Sequence, residues 1–220
     1  ATRRDLYGIL RELKKSGIDN ILALRGDRPS PEGDADTGPS EFRHASDLIH
    51  FVLSEFDFCV GAACYPEKHL ESPDVASDIR ALVAKVEAGA HFLITQLFFD
   101  NTRFYDFLER VRDAGIQVPI IPGIMPITSV DQVRRFTTMC GATIPEPLVR
   151  ELEARRDQPE AVLDLGVAYA ALQCADLLAN GVPAVHFYTL NRSPAARAVV
   201  SALLVAERIR APRGVGTSLP

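Results

Sequence analysis

Residues 92–100, FLITQLFFD, form the stretch whose reading decides the fold. The run is apolar and rich in aromatics, bounded by Gly89 on one side and Asp100-Asn101 on the other. Such a run reads as a strand buried on both faces, as in a parallel sheet. Gln96 stands out in it. A buried primary amide must satisfy two donors and two acceptor lone pairs, or cost about 1–3 kcal/mol. Two readings meet that demand: a core glutamine satisfied by a neighbouring backbone, and a side chain near the strand's carboxyl end aimed at a polar heterocycle.

Working outward, strands alternate with helices. Thr2 caps a helix carrying Leu6, Ile9, Leu10 and Leu13, which ends at Lys14-Lys15-Ser16-Gly17. A strand over 18–24 follows, then a loop over 28–44, RPSPEGDADTGPSEFRH, long enough to act as a lid over a site. The pattern then predicts a helix over 45–56, the strand CVGAAC over 59–64, the loop YPEKHLESPD, and a helix starting at Pro73 or Asp74 and ending near Ala88. Beyond the central strand, Asn101 caps a helix over 104–114, and VPIIPGIMP (118–126) is a fourth strand. A helix capped by Thr128 or Ser129 runs to about Met139, and a helical insertion covers 145–156. A longer helix over 161–179 carries Leu163, Val167, Cys174 and Leu178 at helical spacing. PAVHFYTL (183–190) is the fifth strand, Ser193-Pro194 starts the last helix, and the tail from Ala211 reads as disordered.

This order is the βα pattern of a parallel sheet. Polar residues cluster where strands give way to loops: Arg25-Gly26-Asp27, Tyr65 to His69, Gln96, Met125-Pro126, and Tyr188 to Arg192. Parallel barrels carry their sites at that rim, whereas an open doubly wound sheet concentrates its site at one switch point. Neither GxGxxG nor a Walker loop is present. The expected fold is an α/β, (β/α)8 TIM barrel, of which about five βα units fall in this chain. About three units are then expected before residue 1. Residues 1–205 form the barrel portion and 206–220 a tail.

The 220 residues are 47% hydrophobic, enough for a sizeable core, and the formal net charge is −5 with acids and bases interspersed. A phosphate-backbone binder needs a basic face, so no nucleic acid is expected. No apolar run approaches the ~20 residues of a membrane span, and no signal-peptide core opens the chain, so a cytoplasmic protein without a membrane partner is expected. Cys59, Cys64, Cys140 and Cys174 form no CxxC motif or metal-like cluster. Cys59 and Cys64 would lie roughly 16 Å apart on opposite strand faces, and all four read as free, buried thiols.

With ILALRGDRP, AACYPEKH, GAHFLITQLFFD, IIPGIMPITS and GVPAVHFYTLNRS in this order, the chain resembles the 5,10-methylenetetrahydrofolate reductases, from about Thr2 to Leu204. The resemblance implies a barrel carrying FAD, of the short, bacterial-type arrangement, and a role in one-carbon metabolism and methionine biosynthesis. The implied reaction is a two-step hydride transfer. NADH or NADPH reduces the flavin and leaves; methylenetetrahydrofolate then takes its place and receives hydride, giving 5-methyltetrahydrofolate. Several subunits are implied, hence a homo-oligomer. The family's general acid, a glutamate on the first barrel strand, would precede residue 1.

Residue by residue, the resemblance places Arg25, Gly26 and Asp27 beside the flavin. Asp27 would accept from the pterin's amino-pyrimidine edge and stabilise the iminium cation formed on ring opening; by itself it reads as an Asx turn. His44, where the family often has Tyr, and Ala45 match flavin positions. Tyr65, His69, Leu70, Glu71 and Ser72 match the segment lining the flavin and its ribityl-phosphate arm. Asp78 and Lys85 match the adenosine and pyrophosphate contacts, and by themselves read as solvated helix charges. Some members have Asn and Arg where this chain has Ala81 and Ala84, so a thinner phosphate grip is expected. Gln96 matches the amide that serves both pterin and nicotinamide. Gln132 and Phe136, four apart on one helix face, match a folate-tail and ring-stacking pair, or else a capped helix with a core Phe. Tyr188 and Arg192 match substrate-facing residues, Arg192 offering its fork to a folate carboxylate or simply capping a helix. Two other functions share these features: a non-catalytic or complementing subunit that binds FAD or folate, and a pterin-binding barrel methyltransferase, which needs no flavin.

Overall fold

A computed structural model describes residues 2–24 and 41–210, the side chains of 208–210 excepted. Thr2 opens α1 (Arg3–Lys15) through a reciprocal cap. Its Oγ1 accepts the Asp5 N–H at 3.2 Å, and Asp5 Oδ2 accepts the Thr2 N–H at 3.1 Å, satisfying two donors that the helix start would orphan. Then come β1 (Asn20–Ala23), α2 (Ala45–Glu55), β2 (Cys59–Cys64), α3 (Val75–Glu87), β3 (Phe92–Thr95) and α4 (Asn101–Asp113). The remaining elements are β4 (Ile120–Ile121), β5 (Gly123–Ile124), α5 (Val130–Cys140), α6 (Glu146–Glu153), α7 (Pro159–Ala179), β6 (His186–Phe187) and α8 (Pro194–Arg210). Asp74 caps α3 by accepting the Ser77 N–H at 2.6 Å. Ser129 rather than Thr128 caps α5. Asn101 lies inside the first turn of α4 rather than ahead of it.

Every described strand pairing is parallel, with β1-β2-β3-β4 in one sheet and β5-β6 in another. The expected 118–126 strand is two pieces. Pro119 and Pro122 bracket β4, and neither has an N–H for the ladder, so regular pairing is confined to the two isoleucines between them. The chain divides into two compact units, Ala1–Gln96 with Thr102–Pro122, and Leu97–Asn101 with Gly123–Pro220.

In the first unit the register aligns Leu22, Gly61 and Phe92 across three strands. Alternation then sorts the sheet into two faces. Ala23, Val60, Ala62, Cys64, Leu93, Thr95 and Ile120 form one face, and all are buried; α2 packs against β1, β2 and α3. Ala63, Tyr65, Phe92, Ile94, Gln96 and Ile121 occupy the other and are half-buried. The expectation of a central strand buried on both faces is therefore corrected, and Gln96 is half-buried rather than a core amide. Gly61 is required where it stands, since a Cβ there would lie 2.4 Å from the Phe92 ring.

The central run leaves the sheet at Thr95 instead of continuing to Phe99. The Gln96 N–H still donates to the Cys64 carbonyl at 2.7 Å. Beyond it the acceptors turn to α7 in the second unit. Gln173 Nε2 donates to the Phe98 carbonyl at 3.1 Å, and the Tyr169 hydroxyl donates to the Phe99 carbonyl. Asn101 Nδ2 donates to the Gln173 carbonyl at 3.1 Å and to Asp176 Oδ2 at 2.7 Å. Tyr169, Gln173 and Asp176 share one face of α7 by their spacing. Phe98 and Phe99 are fully buried. Each contributes about 1.5–3 kcal/mol by burial against about 0.5–1.5 kcal/mol for a net hydrogen bond. The rings hold this segment in place, and the polar side chains fix its path.

The second unit's core joins Leu97, Phe99, Met125, Ile127, Val130, Val133, Leu148, Leu152 and Val162. On α7 the buried stripe is Val162, Gly166, Ala170, Gln173, Cys174 and Leu177. It includes the expected Cys174 but runs one position off the expected Leu163, Val167 and Leu178, and Leu178 is exposed. By length and composition alone α7 is apolar enough to cross a membrane, which corrects the expectation that no such run exists; in the structure its stripe packs the unit's core. The four cysteines are free, as expected, but only Cys64 and Cys174 are buried; Cys59 and Cys140 are half-buried.

Two tests follow from this packing. A Cβ at Gly166 would lie 1.9 Å from the Ile127 carbonyl oxygen, whereas one at Gly8 in α1 meets nothing within 4 Å. In urea unfolding followed by circular dichroism, Gly8→Ala is expected to stabilise by about 0.5–1 kcal/mol. Gly166→Ala should destabilise by about 2 kcal/mol or more through overpacking; a stabilising Gly166→Ala would contradict the close approach of α7. Burial also pushes the Cys64 thiol well up, and the Cys174 thiol up to about 12, suppressing the reactive thiolate. Iodoacetamide at neutral pH is expected to label Cys59 and Cys140 in the folded protein and to spare Cys64 and Cys174 until denaturant is added. Early labelling of either buried thiol would refute this burial pattern.

Candidate functional site

The first unit holds a cavity of about 580 Å³ at the carboxyl ends of β1 and β2. That volume falls in the roughly 300–1,000 Å³ range of ligand and cofactor pockets. Ala23 and Leu24 close one side, and His44, Ala45 and Ser46 enter from the start of α2. Asp47 fixes that entrance, its Oδ2 accepting the Arg43 and His44 N–H groups, each at 2.9 Å. Ala63 and Tyr65 come from the end of β2.

The loop after β2 folds back onto α3. Asp78 holds it there: Oδ1 accepts the Ser72 hydroxyl at 2.9 Å and Oδ2 the His69 N–H at 3.3 Å. His69 Nδ1 accepts the Glu71 N–H at 3.0 Å, which places the proton of a neutral ring on Nε2. The His69 ring stands edge-on to Tyr65 at 4.6 Å. Along α3, Ser77, Ala81 and Ala84 follow helical spacing, and they line the cavity with Asp78 and Lys85. Alanine at 81 and 84 leaves room along the helix that a longer side chain would fill. Lys85 Nζ donates to the Ala63 carbonyl at 2.8 Å and lies 5.5 Å from the Tyr65 ring centre. It is the one lysine or arginine among the described lining residues, and two contacts hold its charge at the cavity wall before any ligand arrives.

The structure thus gathers His44, Ala45, Tyr65, His69, Glu71, Ser72, Asp78 and Lys85 around one space. Leu70 is not among them; it is 57% exposed, while its neighbours His69, Glu71 and Ser72 line the cavity. Arg25, Gly26 and Asp27 lie outside the described residues. Gln96 does not line the cavity, but the register that pairs Cys64 with Thr95 sets it beside Tyr65 on the same sheet face. Sequence reasoning overlooked Ala23, Leu24, Ser46, Ala63, Pro73 and Ser77. Only the helical spacing of Ser77 with Ala81 and Ala84 carried a signal.

In the second unit a small cavity of about 30 Å³ is lined by Gln132, Tyr188 and Arg192, with Met125, Thr128 and Leu190 among its neighbours. Gln132 Oε1 accepts the Thr128 hydroxyl at 2.7 Å. Tyr188 donates its N–H to the Ile124 carbonyl at 2.9 Å and meets the His186 ring edge-on at 4.9 Å. Burial holds the His186 imidazole below its ordinary value. Leu190 and Asn191 both have left-handed backbone, φ 51° and 60°, which turns the chain so that Arg192 reaches the lining. Phe136, on the same face of α5 as Gln132, instead packs against the unit's apolar core.

The description "Methylenetetrahydrofolate reductase" belongs to the family that matches residues 1–204. Among relatives, methylenetetrahydrofolate reductase 1 of Schizosaccharomyces pombe is 38% identical over 92% of this chain and 34% of its own length. The 5,10-methylenetetrahydrofolate reductase of Pectobacterium carotovorum is 34% identical over 92% of this chain and 66% of its own. The chain therefore spans about a third of the first relative and just under two thirds of the second. Among solved structures, an uncharacterized Clostridium thermocellum protein that binds two copies of 5-methyl-5,6,7,8-tetrahydrofolic acid superposes with a TM-score of 0.59 at 18% identity, over 95% of this chain and 70% of that one. At that identity the likeness concerns fold alone. The α/β architecture of parallel strands is part of a (β/α)8 barrel, and the chain belongs to the methylenetetrahydrofolate reductase family.

Proposed function

We propose that the protein is a flavin-dependent reductase that converts 5,10-methylenetetrahydrofolate to 5-methyltetrahydrofolate with NADH or NADPH as hydride donor, in a ping-pong sequence. The observation that carries this reading is the cavity at the ends of β1 and β2. Eight residues that family resemblance assigns to FAD line one space there. Relatives named for NADPH, in Caenorhabditis elegans, and for NADH, in Arabidopsis thaliana, support a nicotinamide donor without choosing between the two. The folate bound by the Clostridium thermocellum protein supports a pterin ligand for this fold.

The residues suit FAD in chemistry as well as volume. Lys85 offers a held cation to a pyrophosphate, Tyr65 an aromatic surface, and Asp78 a carboxylate beside the loop that it anchors. When bound, FAD would accept a hydride from one substrate and return it to the other. The protein's part is then binding and electrostatics. Gln96 carries donor and acceptor in one amide, so one side chain serves a nicotinamide carboxamide and a pterin edge in turn. Asp27 would stabilise the iminium charge, and Gln132, Tyr188 and Arg192 would receive the folate.

The test separates the two half-reactions under anaerobic conditions by stopped-flow absorbance. The full-length protein is expected to bind FAD, to lose flavin absorbance on mixing with NADH or NADPH, and to regain it on mixing with methylenetetrahydrofolate. A protein that binds FAD yet answers to neither substrate would overturn the catalytic reading in favour of a complementing subunit. Lys85→Met is expected to weaken FAD by about 10- to 100-fold, the loss of hydrogen bonds to a charged group, with Lys85→Arg intermediate. Gln96→Leu should leave FAD bound while slowing both half-reactions. Slowing of neither would remove Gln96 from the site.

A further inference from the structure

The loop between β2 and α3 contains one residue whose conformation its backbone does not favour. Lys68 has φ +84°, a left-handed region that glycine enters freely and a long L side chain rarely adopts. The side chain accounts for its presence. Half-buried, its ammonium donates to the His69 carbonyl at 3.2 Å and also to the Ser72 carbonyl. One cation thus spans both ends of the segment that carries His69, Glu71 and Ser72 into the cavity. Two neutral bonds also lie within that turn: the Ser72 N–H to the His69 carbonyl at 3.0 Å, and the Glu71 N–H to His69 Nδ1 at 3.0 Å. Hydrogen bonds from an ionised donor are about twice as strong as neutral ones, so the Lys68 ammonium outweighs these two neutral bonds in tying His69 to Ser72. Asp78 fastens the loop's outer edge to α3, and Lys68 closes it on itself.

We propose that Lys68 is a positioning residue for the cavity: without lining it, its ammonium holds the His69–Ser72 turn in the form that presents His69, Glu71 and Ser72 to a bound ligand. Insofar as that ligand is FAD, the inference rests on the reading given above; the loop tie itself does not.

The test uses the full-length protein with Lys68→Met, Lys68→Arg and Lys68→Gly, read first by amide hydrogen exchange without ligand and then by titration with FAD. Lys68→Met removes the ammonium and keeps the stem. Exchange over residues 69–74 is expected to quicken by about tenfold, the loss of hydrogen bonds to a charged group, while β2 amides keep their protection. Lys68→Arg should restore most of that protection. Lys68→Gly frees the backbone of its left-handed cost, yet should exchange as fast as the Met variant, because the tie is gone. FAD is expected to bind about tenfold more weakly to the Met and Gly variants, and nearly normally to the Arg variant. Unchanged exchange over 69–74 in the Met variant, or full protection in the Gly variant, would overturn the proposal. So would quickening that extends equally into β2, since Lys68 would then be a general stabilising residue. If the wild-type protein binds no FAD while the Met variant still loosens 69–74 alone, the tie stands and the FAD reading falls.

Discussion

The structure depends on where the central run stops being a strand. Residues 92–95 take ladder partners from β2 and β4, but three and four positions later the Phe98 and Phe99 carbonyls accept from Gln173 and Tyr169 of α7. A strand continuing to Phe99 would need its acceptors met by neighbouring strands; here a helix meets them, and Leu97–Asn101 enters the second unit's core. Gln96 sits at that change of partner. Its backbone still pairs with Cys64, while the residue after it is already in another apolar cluster. The polar residue that interrupts the apolar run marks the end of the ladder.

The cavity of the first unit follows from small residues in fixed places. Ala63 at the strand end, Ala81 and Ala84 along α3 and Ala45 at the start of α2 leave a space that larger side chains would fill. Polar groups enter it already held by neighbours: Lys85 by a carbonyl and an aromatic face, Asp78 by two donors from the loop, and His69 by its own turn. Groups fixed before binding lose little freedom when a ligand arrives. That preorganisation is the physical content of the proposed cofactor site.

Much of this was legible in the residues. Alternating strand and helix signals gave the parallel α/β order, and caps such as Thr2, Asp74 and Ser129 placed helix starts within a residue or two. Gathering of the cavity residues came from motif resemblance, since Asp78 and Lys85 look like ordinary helix charges until the β2–α3 loop folds over them. The failures have physical causes. Periodicity put the buried stripe of α7 one position off because Gly166 and Gln173, neither an apolar signal, occupy it. Nothing in the apolar run reported that α7 would take its carbonyls. Leu70 matched a motif, yet it is exposed at the turn whose other residues line the cavity. Phe136, half-buried, packs against the second unit's core, the alternative that the sequence already offered for an apolar ring on an amphipathic helix.

The most direct measurement is a crystal structure of the full-length protein purified with whatever chromophore it retains. The account predicts FAD in the cavity between the β2–α3 loop and α3, with its phosphates at Lys85 and with His69 and Asp78 within hydrogen-bonding distance of the cofactor. FAD bound elsewhere, or another molecule in that cavity with no contact to Lys85, would contradict it.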